Sequence, residues 1–316
     1  MEVQSTPPQV SRLPRFRRAP EPLAFQLTEQ DVDIVRLLAR YRFLRSSHIA
    51  TLVGRSLDRT NDRLSKLFHA SYIDRPRAQL DYYPGMGSAP MVYALADRGA
   101  RLLIERDGIE FANVEWSRKN RRVGRPFIDH QLAIVDFYVS LRRASIERGF
   151  RLMEPNEIAA SMPERAQHAR NAFAMRVTLS HRGAIHEIGV IPDFVFCLSA
   201  ASNERRNFFV EIDRGTMPVA RRDFTQTSFE RKMRAYLAAY AAKMHEKQFG
   251  WKSCRILTVT TDRKRARSMM DALRRLRAHG TPGPSLFYFA TRDELATVDP
   301  LRQTWTDGTD RAATLI

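Results

Sequence analysis

Two short stretches constrain this chain more than any others: IPDFVF (Ile191–Phe196) and NFFVEIDRGT (Asn207–Thr216). Both read as strands, and FERKMRAY (Phe229–Tyr236) after them reads as a helix. Asp193, Glu211 and Asp213 interrupt strands that are otherwise apolar. Carboxylates are uncommon in buried strands unless they hold a metal or take part in chemistry. Alternation puts Phe208, Val210 and Ile212 on one sheet face and Phe209, Glu211 and Asp213 on the other. Side chains two residues along a strand are roughly 6.5 Å apart, so Glu211 and Asp213 are neighbours. Pro192 is confined to a strand start or edge, which puts Asp193 at the beginning of its strand. A turn through Ala201–Asn207 returns the chain antiparallel, and with a matching register Asp193 faces Glu211.

The rest of the chain has to supply a scaffold for those acids. Its 316 residues suffice for two domains, and 43% of them are hydrophobic, enough for a core. Lys and Arg number 52 against 35 Asp and Glu, a net charge of +17. That balance favours a polyanionic partner, nucleic acid first. A host bias towards arginine codons explains the preference for Arg but not the excess over acids. Cys197 and Cys254 lie in apolar runs and read as buried thiols of a reducing compartment. No apolar run is long enough to cross a bilayer, and the start lacks an apolar signal segment, so the expected location is the cytoplasm, with no membrane contact.

Met1 to about Phe25, rich in Pro and Arg, reads as a disordered basic arm. From residue 26 to 115 the pattern is three helices and a two-stranded hairpin, a winged helix-turn-helix. Thr28 opens the first helix, with Glu29 and Asp31 in its first turn. Gly54 ends the second, and the third starts near Asp58, which can cap it. The hairpin turn holds Pro84, Gly85 and Gly87, and YALADRG (Tyr93–Gly99) looks like the last strand and following helix of bacterial winged-helix regulators. In such a domain the third helix enters the major groove. Arg55, Arg59, Thr60, Asn61, Arg63 and Lys66 are its expected DNA-binding residues, on or just before its exposed face. Arg pairs with guanine and Asn with adenine, whereas Lys66 is suited to phosphate. The alternative is a winged helix used for protein contact.

Residues 116–126 form a basic linker; Trp116–Arg125 holds five basic residues and no acid. It reads equally as a solvated connection and as a strand-tracking contact. Residues 127–303 read as an α/β (α+β) domain with a mixed sheet: an amphipathic helix over Phe127–Arg148, a strand at Phe150–Pro155, and an unpatterned connection over Asn156–Asn171. Next come strands at Phe173–Ser180 and Ile185–Leu198, with His181 and His186 exposed about the turn between them. A helix follows the two acidic strands, with Thr227 and Glu230 spaced as its capping box. It leads to a strand at Cys254–Asp262, a basic helix at Arg263–Arg277, the turn Thr281–Pro284 and a last strand at Leu286–Thr291. Residues 304–316 read as a disordered tail. P-loop, Rossmann and CxxC signatures are absent, which argues against an ATPase, a dinucleotide enzyme and a zinc finger.

Pro192–Asp193 on one strand and Glu211-x-Asp213 on the next resemble the PD-(D/E)xK nuclease superfamily. The resemblance implies Mg²⁺ held by Asp193 and Glu211, with Asp213 as a third ligand. Where the superfamily has an in-strand lysine this chain has Asp213; Lys232, on the following helix, takes that catalytic place beside Glu211. The alternative is a non-catalytic copy whose acids pair with Arg214, Arg221 and Arg222. Over Thr28 to about Thr291 the chain looks like the bacterial replication-relaxation family of plasmids and integrated mobile elements. That resemblance rests on the winged helix, HQLAIVDFYVSL (His130–Leu141), PDFVF, FFVEIDRGT, Lys232 and Tyr236. It implies double-stranded DNA as partner, with replication or mobilisation proteins and a second copy of the chain beside it. Two activities follow: DNA binding in replication, relaxation or its control, or metal-dependent nicking. A relaxase-type tyrosine nucleophile is disfavoured, because no two of the eight histidines are spaced two apart. Tyr236 and Tyr240 then read as core.

Overall fold

The computed structural model describes residues 15–20, 24–80, 89–167, 169, 171–181, 183–200, 204–276 and 283–316. The expected hairpin turn at Pro84–Gly87, most of the amino-terminal arm and part of the Thr281–Pro284 turn lie outside them. The fold is α+β with mixed sheets, in two compact units, Met1–Asp136 and Phe137–Ile316.

The first unit opens with α1 (Glu29–Tyr41). Thr28 caps it, accepting from the Asp31 amide while the Asp31 carboxylate accepts from Thr28 N–H. This reciprocal box satisfies two of the donors that a helix start leaves free. β1 (Phe43–Arg45) leads to α2 (Ser46–Val53), which Gly54 closes at φ 66°, a left-handed conformation that suits glycine. α3 (Leu57–His69) has Ser56 as its N-cap; Asp58 sits in the first turn instead of capping it. β2 (Ile73–Asp74) and β3 (Val92–Leu95) join β1 in an antiparallel sheet of order β1-β3-β2. α4 (Asp97–Asp107) follows. A Cβ on Gly99 would come within 2.3 Å of the Tyr72 carbonyl oxygen, so this helix start needs glycine to lie against the turn before β2.

Two expected boundaries are corrected. The basic linker is a helix, α5 (Trp116–Arg122), anchored by Asn120, whose Nδ2 donates to Asp74 Oδ2 at 2.9 Å and to the Leu95 carbonyl at 2.8 Å. The amphipathic helix expected over Phe127–Arg148 is α6 (Arg125–Glu147), and the division between the units falls inside it. Its Ile128 and Leu132 pack on Phe43, Val92 and Ala94 in the first unit. The described part of the arm is also fixed. Arg18 donates to the Phe68 carbonyl at 2.9 Å and to Asp74 at 2.5 Å, and the Ala19 amide donates to His69 Nδ1.

The second unit continues from α6 into β4 (Arg151–Met153), α7 (Pro155–Ser161) and α8 (Glu164–Gln167), two short helices in the stretch expected to be unpatterned. β5 (Met175–His181) and β6 (Ala184–Val190) pair only with each other. The strand expected through Ile185–Leu198 therefore breaks at Ile191–Asp193, where Pro192 has no amide to give a ladder. Its second half is β7 (Phe194–Ser199), in a different sheet.

β8 (Arg205–Ile212) precedes α9 (Phe229–Ala241) and α10 (Met244–Lys247). β9 (Arg255–Thr260), α11 (Arg263–Arg275), β10 (Phe287–Thr291) and α12 (Arg292–Thr297) complete the expected alternation. The supposed tail is ordered: β11 (Trp305–Asp307) and β12 (Ala312–Ala313) extend the sheet. The seven strands run β12-β11-β10-β9-β8-β7-β4, with β8, β9 and β10 parallel and the remaining neighbours antiparallel.

Both faces of β8 are covered. Phe209 packs among Tyr236, Phe249 and Trp251, with ring centroids 5.1–6.0 Å apart, while Phe208 stacks on Phe196 at 4.7 Å. The alternation read from the sequence is the one the sheet has.

Candidate functional site

In the second unit, β7 and β8 pair with Phe194 opposite Val210, and one step further along that register sets Asp193 opposite Glu211. The Asp193 amide donates to the Val210 carbonyl at 3.0 Å, and Asp193 Oδ2 accepts from the Ile212 amide at 2.8 Å. The strand-start aspartate is thus locked to the partner strand through both its amide and its carboxylate.

Glu211 is 2% exposed. Its Oε2 accepts from Lys232 Nζ at 2.5 Å and its Oε1 from the Tyr236 hydroxyl at 2.7 Å. Lys232 and Tyr236 are four residues apart on α9, so one helix face delivers both donors. Burial pushes the Glu211 carboxyl up to about 7 despite the pull of Lys232, and the charge of Asp193 adds to the rise. Burial works against a charged Lys232, but Glu211 and Asp193 overcome it and hold its pKa above the ordinary value. Burial and then Glu211 raise Tyr236 well above an ordinary phenol. A buried, protonated phenol that donates to a carboxylate is a poor nucleophile. Tyr240 stacks on His245 at 4.1 Å.

Asp213 has hydrogen-bond partners of its own, although its charge also helps to raise Lys232. Arg265 grips it with Nε at 2.5 Å and Nη2 at 2.8 Å, and Thr260 donates to the same carboxylate at 2.7 Å. The Arg292 guanidinium donates to the Asp213 carbonyl. Asp262, the N-cap of α11, accepts from the Arg265 amide and so sets where that arginine begins. The cationic side-chain partner of Asp213 is thus Arg265, whose place on α11 the Asp262 cap sets, and not Arg214, Arg221 or Arg222. The α9 cap also differs from expectation: Ser228, not Thr227, accepts from the Arg231 amide.

A three-carboxylate Mg²⁺ set does not fit this arrangement. Among the described residues no group of three or more His, Cys, Asp and Glu is gathered for an ion. Both oxygens of Glu211 and both of Asp213 accept from cationic or hydroxyl donors. Lys232 supplies positive charge to Glu211, and Arg265 to Asp213. Of the expected site residues, Asp193, Glu211 and Lys232 are brought together, while Asp213 is held by Arg265 and reaches Lys232 only through its charge. Tyr236 is the member that reading for core alone missed; its i,i+4 spacing from Lys232 is the signal that locates it.

In the first unit, α3 presents a divided set. Arg59 and Asn61 are exposed and Arg55 is half-buried just before the helix. Lys66 is half-buried and pairs with Asp62 at 2.9 Å. Two of the six expected contacts face inward. Thr60 is 0% exposed and its hydroxyl donates to the Ser56 carbonyl. Arg63 forks onto the buried Asp31 of α1 and also donates to the Gln26 carbonyl. The helical period explains both: Thr60, Leu64 and Leu67 share the core face, and Arg63 borders it.

The His181 and His186 rings are half-buried against Phe224, not exposed. Cys197 and Cys254 are buried free thiols, as expected, and burial pushes Cys254 up to about 12. No helix among the described residues is long and apolar enough to cross a membrane.

The family model described as replication-relaxation matches residues 35–252, more than half of the chain. This chain belongs to the replication-relaxation family. The match takes in α2, α3, Asp193, Glu211 and Lys232, and ends short of α11 and Arg265. The replication-relaxation match is therefore narrower than the Thr28–Thr291 span expected from the motifs. No curated protein and no solved structure matches the chain.

Proposed function

We propose that this protein binds double-stranded DNA of a plasmid or integrated mobile element and acts in its replication, relaxation or the control of either. The single observation that carries the reading is the outward face of α3. Arg59 and Asn61 are exposed at its amino-terminal end and Arg55 lies just before it, on a helix seated against α1, α2 and a small antiparallel sheet. A winged helix-turn-helix places such a helix end in the major groove. The family membership and the excess of basic residues support the same partner. On this reading the protein partners are replication or mobilisation proteins of the element and a second copy of the chain, acting in the cytoplasm. The test is duplex binding by fluorescence anisotropy. Arg59→Ala and Asn61→Ala each weaken binding by about 1–3 kcal/mol if they meet bases. Unchanged affinity in both variants removes α3 from the interface.

The convergence of Asp193, Glu211 and Lys232 favours a second reading, a PD-(D/E)xK-like nicking activity with Mg²⁺ on Asp193 and Glu211. It requires Lys232 and Tyr236 to release Glu211. Supercoiled plasmid incubated with Mg²⁺, Mn²⁺ or EDTA decides it. Nicked or linear product that needs metal and is lost in Glu211→Ala supports cleavage. Shifted but intact plasmid in every lane leaves binding alone.

A further inference from the structure

The first unit contains a cavity of about 340 Å³ whose wall carries Arg18, Arg75, Arg77 and Arg121 against one carboxylate, Asp74. That carboxylate is already committed. Asp74 Oδ1 binds Arg18 at 2.5 Å and its Oδ2 accepts from the buried Asn120 at 2.9 Å. Arg75 lies with its guanidinium over the Phe68 ring at 4.2 Å and the Tyr93 ring at 5.3 Å. One of its nitrogens donates to the Arg15 carbonyl at 2.7 Å, while its buried Nε meets no acceptor among the described residues. Arg77 and Arg121 are exposed and have no carboxylate partner among the described residues.

This is a concentration of like charge with its one counter-charge spent. Burial lowers the pKa of Arg75; Tyr93 opposes that, and the charges of Arg15 and Arg18 add to it. His69 beside it is lowered by burial and by Arg75 and Arg18. An unpaired buried donor is costly, and guanidinium forks match the oxygens of a phosphate group in two-bonded geometry. The volume sits within the range of roughly 300–1,000 Å³ usual for small-ligand sites.

We propose that this cleft is a phosphate-binding site, with Arg75 as the buried anchor and Arg77 and Arg121 closing on the oxyanion from the solvent side. The phosphate belongs to a DNA backbone or to a free phosphorylated small molecule. The site does not depend on α3 reading bases.

The test uses the full chain and inorganic phosphate as probe, at constant ionic strength balanced with chloride. Arg75→Ala risks the fold, because its guanidinium packs on Phe68; the variant of choice is Arg77→Ala with Arg121→Ala, both at exposed positions. Phosphate is expected to raise the wild-type Tm saturably, and the double variant to need roughly tenfold more phosphate for the same rise. No rise in the wild type, an equal rise with chloride, or an unchanged response in the double variant overturns the site. Duplex titrations then name the source. Weaker DNA binding in the double variant, with phosphate competing, assigns the group to DNA backbone. Unchanged DNA binding beside a weakened phosphate response assigns it to a free ligand. Loss of DNA binding in Arg59→Ala with the phosphate response intact separates this site from the α3 contact.

Discussion

Two buried carboxylates titrate with opposite signs, and the difference lies in their partners. Glu211 has one cation and one phenol against complete burial, and its pKa rises from 4.5 to about 7. The folded state then keeps a proton that the unfolded chain has released. Stability from this group is fully present below the ordinary glutamate value and is lost as pH rises towards about 7. The window is worth on the order of 3 kcal/mol. Glu211→Gln removes the titration, so the Tm of the wild type should fall relative to that variant across this window. Parallel Tm curves would show that Glu211 does not titrate there. For Asp31, burial works to raise the carboxyl, but Arg63 and the Thr28 groups outweigh it and hold it below 3.8. Its contribution is present above that ordinary value and is lost as pH falls through the lower folded one. Removing Arg63 strands a carboxylate that is 0% exposed. Arg63→Ala should cost about 3–5 kcal/mol in urea unfolding; a loss below about 1 kcal/mol would mean that water replaces the guanidinium.

At the scale of elements, legibility followed periodicity. The apolar faces of α1, α3, β8 and α9, and the order of the major elements from β7 to β10, were readable because each repeats its pattern over several residues. α5 and α7 were not, since seven residues give barely two turns and their anchors, Asn120 and Ile158, are single buried side chains. β11 and β12 were missed because they are three and two residues long and flank TDGTD, a turn sequence. Their contribution comes from Trp305, 0% exposed, whose Nε1 donates to the Pro300 carbonyl at 3.0 Å. Gly308 fits the same packing: a Cβ there would meet the Pro284 carbonyl oxygen at 2.4 Å. Trp305→Ala should therefore cost about 3–5 kcal/mol. A Tm unchanged from wild type would return residues 304–316 to the status of a dispensable tail.

For the whole molecule, the charge of +17 pointed to a polyanion, but it overstates what is free to bind one. Arg63, Arg265, Arg36 and Arg18 are each bound to an aspartate. Sequence reading could place Arg63 on α3, yet could not see that Asp31, on another helix, claims it. The same limit applied to Asp213, whose partner lies 52 residues on. Pairing across the fold decides which charges remain, and salt dependence measures the remainder. On B-DNA, log K falls with log salt by about 0.9 for each phosphate neutralised. Arg59, exposed, should lower that slope by about one when changed to Ala if it meets a phosphate, and leave the slope while reducing affinity if it meets a base. Arg63, already neutralised by Asp31, should leave the slope unchanged when replaced in protein that is still folded. A drop of about one for Arg63→Ala, with none for Arg59→Ala, would mean that the Asp31 pair opens on binding and that α3 approaches DNA by its other edge.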